Sequence, residues 1–283
     1  MDSLVERIEQ VLGARPQQLE TLGGGCIGEV YCARLPDATR VVAKVGGDGA
    51  RLSVEGYMLR YLRQHSGLPV PEVLFSADDL LLMSFIEGDS FFDSATQKHA
   101  AELVAALHDV RGSAFGLERD TLIGGLHQPN SPADSWLAFF RDHRLLYMAG
   151  EAQRAGRLPP RLYDRVERLA ARLERWLLEP EYPSLIHGDL WTTNILARGG
   201  RVTGFLDPAI YYAHPEIELA FSTLFNTFGA PFFRRYQELR PLAPGFFEER
   251  RDLYNLYPLL VHVRLFGGGY VGSVEHILGR FGV

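Results

Sequence analysis

The segment Leu185-Ile186-His187-Gly188-Asp189-Leu190-Trp191-Thr192-Thr193-Asn194-Ile195-Leu196 constrains this chain more than any other. It passes from apolar, strand-like residues through a polar turn and back into an apolar run. Within the turn, Asp189 precedes Asn194 by five residues. A second strand-like piece, Val202-Thr203-Gly204-Phe205-Leu206, ends at Asp207, thirteen residues beyond Asn194. A hairpin of that length is expected to return Asp207 to the side of Asn194. A carboxylate and an amide carbonyl together suit a hard cation such as Mg²⁺, especially one that also bridges phosphates. Asp189 is then left free to act as a base on a hydroxyl.

The Asp189–Asn194 spacing is that of the base and the metal ligand in the catalytic loop of kinases. Phosphoryl transfer explains it. The reaction needs a carboxylate at the attacking hydroxyl and an oxygen ligand holding Mg²⁺ on the triphosphate a few ångströms away. One tight loop can supply both. Where protein kinases have Asp-Phe-Gly, this chain has Asp207-Pro208-Ala209, which retains the metal ligand and lacks the Phe-Gly switch. No activation-loop segment leading to an Ala-Pro-Glu motif follows, so a protein kinase is disfavoured. His187 is expected to hydrogen-bond the loop backbone rather than act as a base.

Upstream, Lys44 closes the strand-like Arg40-Val41-Val42-Ala43-Lys44-Val45, which matches the lysine strand of kinases. Glu55 falls on the otherwise apolar stripe Leu52–Leu59–Leu62 of an expected helix over residues 51–65. A lysine and a carboxylate that both face inward each need a partner, and one ion pair meets both needs. That pair would hold Lys44 against the α- and β-phosphates. Gly24 and Gly25, within the glycine cluster 23–28, are expected to cover the phosphates with backbone N–H groups. Met83, Ser84 and Phe85 are expected to form the hinge that meets adenine.

These elements outline an α+β chain with the two-lobed kinase-like architecture. A β-rich nucleotide-binding lobe spans residues 1–86, and a mainly helical lobe with the catalytic loop and the acceptor site spans 87–283. Leu4, Ile8 and Leu12 predict a short opening helix over 2–13. Strands are expected at Val30–Leu35, Arg40–Val45 and Leu80–Phe85. Further helices are expected near 94–109, 134–150, 160–178, 214–226 and 246–265, the last kinked or broken at Pro258.

Composition excludes several classes. The 283 residues are 46% apolar and 23% charged, enough for a substantial core. A net charge of −6 gives no general attraction to nucleic acid or to an anionic membrane. No apolar run approaches a membrane span. Two cysteines make no disulfide framework. The first residues lack the basic and apolar blocks of a secretory signal. A cytoplasmic protein is expected.

With those motifs in place, the chain resembles the fructosamine kinase (ketosamine 3-kinase) family, which shares its fold with aminoglycoside and choline kinases. The resemblance rests on Gly23-Gly24-Gly25-Cys26-Ile27, on His187-Gly188-Asp189-Leu190-Trp191-Thr192-Thr193-Asn194, and on the run from Asp207-Pro208-Ala209 to Leu219-Ala220. It continues in Ala243-Pro244-Gly245-Phe246 and Phe266-Gly267-Gly268-Gly269-Tyr270-Val271-Gly272-Ser273. The tryptophan after His-Gly-Asp-Leu and the aromatic pair with His after Asp-Pro-Ala are its most specific parts. The resemblance implies ATP-dependent phosphorylation of a sugar hydroxyl on a small glycated amine or a glycated lysine, a deglycation chemistry. It implies Asp189 as base, Asn194 and Asp207 as Mg²⁺ ligands, Lys44 on the phosphates and Trp191 as the sugar platform. Gly28 departs from the more usual polar residue and would leave the loop more flexible. Another sugar, amino-alcohol or aminoglycoside-type kinase, or a catalytically silent nucleotide-binding relative, is the alternative. Cys26, set in the glycine cluster near Lys44, is a candidate redox switch and a candidate disulfide contact in a homodimer. Cys32, in mid-strand, is not.

Overall fold

The computed structural model describes residues 2–23, 28–47 and 49–283. The chain opens with helix α1 (Asp2–Leu12), followed by β1 (Gln18–Thr21), β2 (Glu29–Arg34), β3 (Arg40–Val45), helix α2 (Leu52–His65), β4 (Val73–Ser76) and β5 (Leu80–Ser84). The strands form one antiparallel sheet in the order β1-β2-β3-β5-β4. Alternation of side chains along a strand divides the sheet into two faces. Val41 and Ala43 of β3, with Leu80 and Leu82 of β5, point to one face, where Ile8 of α1 covers them. Lys44 lies on the opposite face, opposite Val30 and Leu81 in register. Leu81 and Met83 share that face and pack with Leu59 and Leu62 of α2.

The remainder is mainly helical. It contains α3 (Ser94–His108), a hairpin of β6 (Thr121–Ile123) and β7 (Leu126–Gln128), α4 (Trp136–Phe139), a π-helical stretch (Phe140–Leu146), α5 (Tyr147–Arg154) and α6 (Pro160–Ala170). Next come β8 (Ser184–Ile186), β9 (Ile195–Arg198), β10 (Arg201–Phe205) and β11 (Tyr211–Ala213). The chain ends with α7 (Glu216–Leu224), α8 (Ala230–Leu239), a π-helical turn (Phe246–Arg250), α9 (Arg251–Phe266) and α10 (Gly269–Arg280). β9 and β10 form the hairpin expected between Asn194 and Asp207. β8 and β11 pair across the base of the catalytic loop.

The expected break at Pro258 is absent, because α9 runs through it to Phe266. A proline in mid-helix removes one backbone hydrogen bond. Here Leu253 to Val261 are all buried, and that packing holds the helix together. The expected helix over 160–178 stops at Ala170 and gives way to a single 3₁₀ turn at Leu173–Arg175.

One buried core crosses the boundary at residue 86. Leu59, Leu62 and Met83 belong to the same apolar cluster as Phe115, Leu185 and Phe205. Polar contacts cross as well. The Phe205 N–H donates to the Pro69 carbonyl at 2.8 Å, and the Tyr61 and Tyr212 hydroxyls lie 3.2 Å apart. Among the described residues, no helix is long and apolar enough to cross a membrane.

Candidate active site

The loop between β8 and β9 is braced from below. Gly188 sits at φ +84°, and a Cβ there would lie 2.1 Å from the Ala209 carbonyl oxygen, so only glycine fits. The Ala209 N–H donates to the His187 carbonyl at 2.8 Å, stitching the loop to the segment after Asp207. His187 is buried, and its Nδ1 accepts the Asp189 N–H at 3.3 Å, the backbone role expected for it.

A chain of buried polar groups adds a brace that the motif spacing does not reveal. The Gly188 N–H donates to Glu218 Oε1 at 2.7 Å. Glu218 Oε2 lies 2.8 Å from His108 Nε2, and His108 Nδ1 lies 2.7 Å from the Tyr236 hydroxyl. A carboxylate only accepts, so His108 carries its proton on Nε2 and Tyr236 donates to Nδ1. Burial lowers the basicity of His108. Burial acts against the Glu218 anion, but hydrogen bonds from His108 and Gly188 more than compensate and hold its carboxyl below the ordinary value.

On this base, the Asn194 Nδ2 donates to Asp189 Oδ2 at 2.7 Å and to the Asp189 carbonyl at 3.1 Å. Asp189 is half-buried. Burial, and then repulsion from Asp207, push its carboxyl up to about 7, against hydrogen bonding from Asn194 and Trp191. Because the Asn194 amide nitrogen faces Asp189, Oδ1 faces the other way, where among the described residues it meets the Thr193 hydroxyl at 3.4 Å.

Asp207 follows β10, with φ +51°. That conformation is sparsely populated for a non-glycine residue, though Asp tolerates it better than most. The Leu206 N–H donates to the Asn194 carbonyl at 2.8 Å, which sets Asp207 beside Asn194. The Asp207 carboxylate is exposed and ion-pairs with Lys44. Lys44 Nζ also lies 2.6 Å from Glu55 Oε1, with both side chains largely buried. Burial disfavours the ammonium, yet the two carboxylates outweigh it and hold Lys44 above its ordinary pKa. The residues fit a divalent cation. Asn194 Oδ1 and the Asp207 carboxylate are oxygen donors on segments joined by the Leu206–Asn194 backbone bond, and phosphate and water oxygens would complete the shell. Among the described residues there is no cluster of three or more His, Cys, Asp or Glu side chains that could hold a metal unaided.

Gly24, Gly25 and Cys26 lie outside the described residues. Gly28, at the end of that loop, has φ +87°, and a Cβ there would lie 2.4 Å from the Val45 carbonyl oxygen. Its glycine therefore answers a close approach to β3. Cys32 is buried in β2, where burial pushes its thiol up. At the expected hinge, Met83 is buried within β5. The Ser84 N–H donates to the Glu72 carbonyl at 2.9 Å, and the Phe85 N–H donates to the Arg40 carbonyl at 3.3 Å. Those donors are occupied. The Ile86 N–H is the first after β5 with no partner among the described residues.

On the other side of Asp189 a cleft of roughly 380 Å³, mouth included, runs between the catalytic loop, α7 and α9. Its wall includes Phe221, Tyr257, Pro258 and His262. The Trp191 ring packs 5.4 Å from Phe225, and Phe225 packs 5.0 Å from His262. Trp191 is half-buried, so one part of its indole packs and another faces outward.

The fructosamine kinase family model matches residues 1–281. The chain belongs to that family. It is 34% identical to a probable ketoamine kinase of Synechocystis sp., over 98% of this chain and 95% of that one. It is 35% identical to a chloroplastic protein-ribulosamine 3-kinase of Oryza sativa subsp. japonica, over 92% of this chain and 77% of the other. A solved structure described as a fructosamine-3-kinase of Thermobifida fusca superposes with a TM-score of 0.87 at 30% identity, covering 99% of each chain. The aminoglycoside phosphotransferase APH(4)-Ia, in a complex with ADP and hygromycin B, shares the fold at 18% identity and a TM-score of 0.72, covering 99% of each chain. The fold is protein-kinase-like, and the protein is a phosphotransferase that acts on an alcohol group.

Proposed function

We propose that this chain transfers the γ-phosphoryl group of Mg-ATP to a sugar hydroxyl of a ketosamine. The observation that carries the reading is the Asp189–Asn194 pair. One carboxylate oxygen is tied to the amide nitrogen, which leaves the amide oxygen facing away from Asp189, and the Leu206 N–H bond to the Asn194 carbonyl brings Asp207 alongside. In this reading Asp189 faces the acceptor cleft and takes the hydroxyl proton. A carboxyl raised by burial is matched to that task near neutral pH. Asn194 Oδ1 and Asp207 hold Mg²⁺, which when bound neutralises charge on the phosphate oxygens. Lys44, steadied by Glu55, leaves Asp207 for the phosphates. The Ile86 N–H, just past Met83, Ser84 and Phe85, meets adenine. Trp191 offers its outward face to the C–H face of the sugar. The ketosamine assignment is supported by relatives whose names are ketoamine kinase and ribulosamine 3-kinase.

The test is ADP release from Mg-ATP with a panel of fructosyl-amines, ribulosyl-amines, choline and aminoglycosides. Turnover on the ketosamines is expected. Turnover confined to choline or aminoglycosides would overturn the substrate class, and turnover on none would overturn the reading.

A further inference from the structure

The acceptor cleft ends at a side chain that none of the motifs singles out. His262 stands on α9 and lines the same cleft as Asp189. Its Nδ1 lies 2.7 Å from the Pro258 carbonyl oxygen, one turn back along the helix. A carbonyl only accepts, so Nδ1 carries the ring proton and the neutral imidazole presents a bare lone pair at Nε2. The hydrogen bond that the ring makes among the described residues is at Nδ1, not at Nε2. Burial lowers the basicity of the ring, which favours this neutral, accepting form.

The surroundings select what would donate to that lone pair. The charged residues that line the cleft are Asp189 and Glu218, with no lysine or arginine among the described residues of its wall. Three aromatic rings surround the imidazole, with centroids at 5.0 Å for Phe225, 5.7 Å for Phe266 and 4.8 Å for Tyr270. These rings lie outside the residues that line the cleft and pack the imidazole in place. The two carboxylates of the wall attract a cation by charge. A hydroxyl would satisfy the lone pair but would gain nothing from the negative wall. A protonated secondary amine gains from both.

We propose that His262 is a specificity residue that accepts a hydrogen bond from the acceptor's protonated amine, in a cleft whose charged wall residues are the carboxylates Asp189 and Glu218. The proposal rests on the ketosamine reading and gives the amine end of that substrate its place, while Trp191 and Asp189 take the sugar end.

The experiment compares two acceptors in the ADP-release assay: a 1-alkylamino-1-deoxyfructose, and the 1-O-alkyl fructose in which an ether oxygen replaces the amine. Wild type should favour the amine in kcat/KM. His262→Phe retains a ring in the aromatic nest and loses the acceptor. A hydrogen bond to a charged donor contributes enough that the amine-to-ether ratio should fall about tenfold or more, through KM for the sugar and not for ATP. His262→Gln, which still offers an acceptor oxygen, should retain part of the preference. A wild type indifferent between the two sugars, or a His262→Phe variant with the wild-type ratio, overturns the proposal and leaves the kinase reading standing. No turnover on either sugar overturns both.

Discussion

Asp189 and Asp207 are two carboxylates on neighbouring loops of one site, and the protein treats them in opposite ways. Asp189 sits on a loop held by the Gly188–Ala209 contact, by His187 and by the Glu218–His108–Tyr236 chain. Its own oxygen is tied to Asn194. Asp207 is exposed, carries an unusual backbone angle and meets a lysine that also has a second partner. In the proposed mechanism Asp189, as the base, must be in place before the substrate arrives, because misplacing it loses the rate. Asp207, as a metal ligand, would be fixed by the ion and phosphates it binds.

Three substitutions sharpen or break that contrast. Asp189→Asn should lower kcat by about 10²–10⁴-fold while ATP binding, followed by calorimetry, stays near wild type. Turnover close to wild type would remove Asp189 as the base. Asp207→Asn, which tolerates the same backbone angle, should lower Mg²⁺-dependent turnover by about a hundredfold or more. Its stability should fall by no more than about 1 kcal/mol, because Lys44 keeps Glu55 as a partner. A large drop in melting temperature would make Asp207 a structural residue and erase the contrast. The smallest effect on activity is expected for Glu218→Gln. The neutral amide presents N–H₂ toward one of the two buried donors, Gly188 N–H or His108 Nε2–H. It should cost about 1–3 kcal/mol of stability and lower kcat about tenfold with both KM values little changed. An unchanged kcat in a destabilised protein would show that the loop does not need this brace.

What could be read from the sequence followed from how local each signal was. Asn194 and Asp207 flank one hairpin and Asp189 stands five residues before Asn194, so their spacing in the chain already stated their proximity. Lys44 and Glu55 betrayed themselves as charges on apolar stripes, and the structure brings them together. The brace was hidden because His108, Glu218 and Tyr236 are scattered along the chain and each looks ordinary in place. His262 was hidden for a similar reason, since a histidine on a buried helix reads as core. Strands β1, β4, β6 and β7 are only three or four residues long, and pairing rather than composition stabilises them. Helices α8 and α10 were masked by Pro231 and by the glycines at 267–269, which read as breakers.

The shared core has a consequence for how the molecule comes apart. Leu59 and Met83 from the first lobe are packed in the same apolar body as Leu185 and Phe205 from the second. The face of the first lobe that carries Leu59 and Met83 cannot lose its packing without exposing the second lobe, so the unfolding of the two is expected to be coupled. A nucleotide that grips Lys44 then protects residues far beyond its reach. Its binding free energy is added to the unfolding of the entire polypeptide, catalytic loop and aromatic cleft included.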